Sequence, residues 1–332
     1  MKIVFSILIL LIIFWSCKSK NKQQEFEEFY YNFEIPKGFD SINFPEGKPT
    51  IAQVALGRKM FFDKSLSKDK SISCASCHNP KNAFADTVAF SKGVNDSLGF
   101  RNVPTLTNVA YNGVYLMDGG VPTLETQVVV PIEDHLEMNI SMVDLVKRLK
   151  KNPLYTDMSK KAYGKEIGPY VITRALAAFE RTLISGNSKY DKFMNGAKKV
   201  YSEKEKKGYE LFKSLSCTEC HSGFNFTNYS FQNNGITALS DTGRARVSLL
   251  REDVGKFKVP TLRNVGLTAP YMHDGRLRNL EEVIEHYASG GDPTRNKSDF
   301  IKPLDLTKEQ KENLTLFLHT LTDSNFVNKK YN

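Results

Sequence analysis

Tryptophan and cysteine are both scarce in this sequence: its 332 residues include one tryptophan, Trp15, and five cysteines. No apolar run reaches the roughly 20 residues that a membrane-spanning helix needs. No block of lysine and arginine is interleaved with aromatics on one element, which excludes a nucleic-acid partner. The formal charge of +9 comes from lysines mixed with acids, as in SEKEKKG at 202–208. Such runs read as solvated helix faces and support no more than a preference for an acidic protein partner. Strand-like alternation is also scarce, which argues against an all-β fold. Hydrophobic residues at 40% and charged residues at 25% are ordinary globular composition and exclude a disordered or collagen-like chain.

The longest apolar run, Ile3 to Trp15 after Lys2, is too short to span and reads as an export signal. Ser16 and Cys17 at its end resemble a bacterial lipoprotein cleavage site, with an uncleaved signal anchor as the alternative. Either way the body is expected outside the cytoplasm, in the periplasm, tethered to a membrane through a lipid at Cys17. The other four cysteines form two close pairs, Cys74 with Cys77 and Cys217 with Cys220. None is left for a long-range disulfide, although exported chains commonly use such staples.

Each pair is followed at once by a histidine, as CASCH at 74–78 and CTECH at 217–221. Two thiols two residues apart on one turn reach the two vinyl groups of a haem, and the adjacent histidine, His78 or His221, then offers its imidazole to the iron. Structural zinc is the alternative, but it would gather four cysteines across the chain and leave both histidines unexplained. Two covalently bound c-type haems are therefore expected.

Helical spacing of apolar residues marks 51–63 and 206–217, each leading into a haem motif, and 142–163, 170–185 and 309–323. Residues 103–127 align without gaps on 259–283, with eleven of 25 positions identical at a constant offset of 156. Each copy carries a proline and an Asp-Gly pair that force turns, so the simplest account is a duplicated cytochrome unit. The expected fold is mainly α, with two cytochrome c-like domains, each holding one haem. The expected boundaries are a signal at 1–17, a tether at 18–44, a first domain at 45–195 and a second at 196–325.

From about residue 45 to 325 the chain resembles the bacterial di-haem cytochrome c peroxidases and their MauG-like relatives. The resemblance rests on LGRKMFFDKSLS, CASCH, NVPTLTNVAYN, DGGVPTLETQ, PIEDHLEM, FERTLISGNSKYDKF, CTECH and FKVPTLRNVGLTAPYMHDG. It implies that the first haem is the peroxide site and the second the electron entry relay. It also implies that Gln127 and Glu137 stand over the open face of the first haem. A carboxylate in a partly desolvated pocket suits the proton transfer that O–O cleavage needs. By the same resemblance Asn102, Thr268 and Pro270 hold a calcium ion between the domains, Asn102 by its side chain and the other two by backbone carbonyls. Oxygen ligands suit calcium; a turn-capping role before Pro104 is the plain alternative for Asn102. His273 matches a loop histidine beside a haem propionate. His135 reads as a solvent-exposed loop residue.

Three positions depart from the family pattern. Peroxidases of the family typically close the first haem at rest with a histidine from the loop after the first motif. Here the matching position is Val94, and no histidine lies between His78 and His135. An open first haem, five-coordinate or water-bound, is expected in the oxidised protein. The sixth ligand of the second haem matches Tyr287, as in the MauG-like branch, with His286 and Met272 as competitors and an ordinary packed aromatic as the alternative. Met117 stands where the family usually has a tryptophan between the haems.

The activity expected is peroxidase: reduction of hydrogen peroxide with electrons from a small cytochrome c or cupredoxin. A MauG-like oxidase of a protein or small molecule, and a di-haem electron carrier without catalysis, are the alternatives. A homodimer is compatible with either enzyme.

Overall fold

The computed structural model describes residues 29–236 and 241–331. The expected export signal, Cys17 as the expected lipid site, and the first part of the expected tether lie outside the described residues. Among the described residues no helix is long and apolar enough to cross a membrane.

Among the described residues seven longer helices organise the chain: α1 Ile51–Phe61, α2 Met142–Lys150, α3 Pro153–Tyr163, α4 Pro169–Glu180, α5 Glu203–Ser214, α6 Leu280–Ser289 and α7 Lys308–His319. Their starts are written in the sequence. Thr50 with Gln53, Ser202 with Glu205, and Thr307 with Gln310 form reciprocal caps on α1, α5 and α7, each satisfying backbone donors that a helix start leaves unpaired. The periodic stretch 142–163 is two helices rather than one, because Asn152 caps a new start and Pro153 occupies its first position. The only strand pair among the described residues is short: β1 Phe231–Gln232 runs antiparallel to β2 Phe257–Lys258. The mainly helical expectation therefore holds.

Among the described residues, the two larger of three apolar clusters are built alike. In the first, α1 crosses α4 so closely at Gly57 that a Cβ there would overlap the carbonyl oxygen of Ala175. One turn on, Phe61 meets Phe179 at 5.1 Å between ring centroids. In the second, α5 crosses α7 at Gly208, where a Cβ would overlap the carbonyl oxygen of Asn313, and Phe212 meets Phe317 at 5.0 Å. The helix leading into each haem motif is thus locked by the same glycine-and-phenylalanine crossing. The sequence repeat is a structural repeat too: Tyr115 bridges Val121 as Tyr271 bridges Leu277.

Between the clusters lies a buried polar seam centred on the repeat asparagines. Asn108 and Asn264 are both left-handed, at φ 57° and 62°, a conformation asparagine tolerates better than most residues. The Asn108 amide donates to Ser185 O and Asn225 Oδ1, both at 3.0 Å. The Asn264 amide donates to Ser185 Oγ at 3.0 Å, and its oxygen accepts from Asp323 N at 2.8 Å. The chain ends also cross between the halves. From residue 29 the expected tether is packed rather than free, with Phe39 against Phe224 at 4.5 Å and under the Arg263 guanidinium. Tyr190 and Phe193 pack on the second cluster, while Phe326 and Tyr331 return to the first.

Candidate functional site

At the first motif the chain makes a single helical turn, Cys74–Cys77, and His78 N donates to Cys74 O at 2.9 Å. This leaves both thiols and the imidazole projecting from one short piece of backbone. Left-handed backbone at Ala83 and Phe84 then aims the Phe84 carbonyl at His78, whose Nδ1–H donates to it at 2.9 Å. The other nitrogen, Nε2, is the one left to bind iron. Burial lowers the His78 pKa and so favours the neutral imidazole, the ligand form.

The second motif repeats this arrangement. His221 N donates to Cys217 O at 2.9 Å, and His221 Nδ1–H donates to Phe226 O at 3.1 Å, again with the phenylalanine left-handed. None of the four cysteines is in a disulfide. Burial raises all four thiols, Cys77 and Cys217 each to about 11. No group of three or more His, Cys, Asp or Glu converges on a metal position among the described residues. The four cysteines therefore stay apart and the zinc alternative falls.

Over the first motif, Glu137 lies close enough for its charge to act on both Cys74 and Cys77. Of the three acids in PIEDHLE, Glu133 accepts from Met142 N and Asp134 from Leu136 N, at 2.9 and 2.8 Å. Glu137 makes no such bond. Glu137 is exposed to solvent, yet the protein packed around its carboxyl raises the pKa to about 7, desolvation first and the neighbouring Asp134 second. Val94 is buried, and its N–H donates to Glu137 O at 2.9 Å, so the loop after the first motif is pinned beside this glutamate. Gln127 Oε1 is buried with no hydrogen-bond partner. Val128 and Met138, the chain neighbours of Gln127 and Glu137, share the apolar cluster of Phe84. His135 is exposed, beside Asp134.

Glu180, at the end of α4, is an acid the sequence reading passed over. It is buried, its charge acts on Cys74, and desolvation raises its pKa to about 8 against the opposing pull of Arg181. The folded chain keeps this proton where the unfolded chain has already lost it. Stability should therefore fall as pH rises from the ordinary carboxylate value of 4.5 to about 8. Glu180→Gln should remove that part of the slope in urea midpoints measured across the same range; an unchanged slope means the acid is not held protonated.

At the second motif Tyr287 comes from the amphipathic helix α6. Its phenol is close to both Cys220 and Cys217, and burial raises its pKa while the amide of Asn234 opposes the rise. Asn234 Nδ2 donates to Tyr287 Oη at 3.4 Å and to Met272 Sδ at 3.1 Å. His286 Nε2–H donates to Asn234 O at 2.8 Å. His273 is buried and stacked on Phe257 at 4.2 Å, and its carbonyl accepts from Asn102 N at 2.8 Å.

The remaining expected positions are Asn102, Thr268, Pro270 and Met117. Asn102 is buried and donates through Nδ2 to Val88 O and Ala89 O, at 3.1 and 3.3 Å. Thr268 and Pro270 sit in the turn that follows the 3-10 turn Val265–Leu267, where Thr268 N donates to Val265 O. Met117 O accepts from Lys258 N at 2.7 Å, which puts the tryptophan-replacing residue against the second half. Next to it Arg101 forks onto Asp241 at 2.6 and 2.8 Å and reaches Asp118 at 2.7 Å. Neither this bridge nor Asn234 was found from sequence, because nothing local marks them. Asn108 and Asn264 could have been found, since both belong to the NV of the repeat.

Thiols paired on one turn, histidines held by Nδ1 and an orphaned buried amide oxygen all fit a covalently attached haem. A mainly helical chain with two such motifs defines a c-type cytochrome of the two-haem kind. A family model described as di-haem cytochrome c peroxidase matches residues 51–199. The methylamine utilization protein MauG of Methylorubrum extorquens is 36% identical over 314 residues, covering 90% of this chain and 86% of its own. The cytochrome c551 peroxidase of Nitrosomonas europaea is 36% identical over 281 residues, 82% of this chain and 81% of its own. A solved MauG-like protein associated with microbial copper homeostasis superposes with a TM-score of 0.86 at 29% identity, covering 91% of this chain and 98% of its own. The chain belongs to the di-haem cytochrome c peroxidase and MauG family, whose membership implies two c-type haems. Its relatives divide between MauG proteins and peroxidases.

Proposed function

We propose that this protein is a periplasmic, lipid-anchored peroxidase that reduces hydrogen peroxide to water with electrons from a small cytochrome c or copper protein. The observation that carries this reading is Glu137: a carboxyl with a pKa of about 7, close to the first pair of haem thiols, in a loop pinned to Val94 instead of to a closing histidine. Residues 45–195 form the peroxide-reacting unit and 196–325 the electron-transfer unit. The two haems, when bound, supply the iron that peroxide meets and the electrons that reduce it.

The chain's own residues supply the proton chemistry. The Glu137 carboxylate takes a proton from one peroxide oxygen and returns it to the other as the O–O bond breaks. Two electrons and two protons in all then account for two waters. Gln127 offers its amide to orient the peroxide. With the haems bound, His78 and His221 would each offer an imidazole nitrogen to one iron, Tyr287 would offer its phenol oxygen to the second, and His273 would support a propionate. Asn102 through its side chain, and Thr268 and Pro270 through their backbone carbonyls, would supply oxygens for a calcium ion, and hard oxygen ligands are what calcium takes.

The test uses the fully oxidised protein and one equivalent of hydrogen peroxide. A high-spin ferric EPR signal that disappears within the mixing time, with no prior reduction, is the expected result. Two low-spin haems that ignore peroxide, before and after half-reduction, overturn the reading in favour of an electron carrier. The second reading, a MauG-like oxidase of a protein or small molecule, is favoured by the nearness of Tyr287 to the second pair of thiols. It is disfavoured by Met117, which cannot supply the electronic coupling of an indole between the haems.

A further inference from the structure

Three side chains in the second half could serve as an iron ligand opposite His221: Tyr287, Met272 and His286. They come from two separate places, α6 and the loop before it, yet all three are bonded to one residue. Asn234 gives one amide hydrogen to the Tyr287 oxygen, at 3.4 Å, and the other to the Met272 sulphur, at 3.1 Å. An asparagine amide has two such hydrogens and no more. Its main-chain carbonyl takes the Nε2–H of His286 at 2.8 Å. Asn234 is itself fastened: its Oδ1 accepts from Ile236 N, and the next residue's N–H donates to Asn233 Oδ1 at 2.9 Å.

We propose that Asn234 is the positioning residue of the second haem site, a three-way clamp that presents the Tyr287 oxygen while keeping the Met272 sulphur and the His286 ring from taking its place. This rests on the reading of Tyr287 as the ligand. The reason for a clamp is chemical. An anionic oxygen favours ferric iron and a low potential, whereas a thioether favours ferrous iron and a higher one. Two such different ligands within reach of one amide would give a mixture unless their positions were held. Met272 is at φ 76°, a conformation that costs a methionine energy and is kept only by its surroundings; the amide–sulphur bond is one such restraint.

The experiment is EPR and spectroelectrochemistry of the haem-loaded protein. The wild type should show one low-spin ferric signal from the second haem and a single midpoint. Asn234→Ala should split that signal into at least two species and spread the midpoint upward, while the double variant Asn234→Ala with Met272→Leu should lose the high-potential species. Asn234→Asp, which keeps the shape but cannot donate, should behave like the alanine variant and guards against a folding defect; haem content confirms that each is intact. If both Asn234 variants keep the wild-type signal and midpoint, the clamp is wrong. If instead Tyr287→Phe leaves the signal unchanged, the tyrosine is not the ligand, and the proposal falls with that reading.

Discussion

Glu137→Gln is expected to lower peroxide turnover by about 10²–10⁴-fold, the usual contribution of a positioned acid–base group, with haem content and both reduction potentials unchanged. Glutamine keeps the shape and removes the titrating proton, so the loss isolates proton transfer from packing. The pH profile gives an independent check. The carboxylate is the form that accepts the first proton, and its pKa is about 7. The rate of the oxidised protein with peroxide should therefore fall as pH drops through that value, and the ionisation should vanish in the glutamine variant. Glu180 is the rival source of such an ionisation, at about 8; Glu180→Gln should leave the profile in place. Wild-type turnover in the Glu137 variant would remove the residue from the chemistry.

Gly57→Ala should cost about 3 kcal/mol of folding stability, the upper end of ordinary overpacking, and Gly208→Ala should cost a similar amount. The added methyl has no space at either crossing, because the obstacle is the backbone carbonyl of Ala175 or Asn313. A flexible side chain could swing away; a carbonyl inside a helix cannot without moving the helix. Since α1 and α5 each lead into a haem motif, haem attachment should drop as well. Gly113→Ala is the control: its Cβ would meet nothing within 4 Å, and the exchange should be neutral or slightly stabilising. Unfolding midpoints in denaturant and haem absorbance per chain measure all three. Wild-type midpoints for both crossing variants would mean that the helices are not locked there.

Local chemistry explains why so much was legible beforehand. A CxxCH turn contains its thiols and its histidine within five residues, so its role survives without knowledge of the fold. The helices announced themselves by spacing and by caps such as Thr50 with Gln53. The repeat at offset 156 announced two similar loops, and Tyr115–Val121 and Tyr271–Leu277 are the matching bridges. Val94 and Met117 were visible as departures because a family pattern supplies the expected residue at each place.

The rest was decided in three dimensions. Three acids stand within five residues at 133–137, and no property of the stretch says that two bond backbone N–H groups while Glu137 lies near Cys74. Tyr287 was the expected iron ligand, with His286 and Met272 as competitors; the second half of the fold set all three against one residue, Asn234, contributed from a distant segment. Glu180 looks like a helix-end surface acid and is buried. The sequence by itself determined the cofactor chemistry, the helices and the duplication, because those depend on neighbours along the chain. Only the tertiary structure decided which acids are desolvated and which side chains meet at Asn234, because desolvation and hydrogen bonding at a side chain sum over whatever the fold packs around it, and most of those atoms belong to residues far away in sequence.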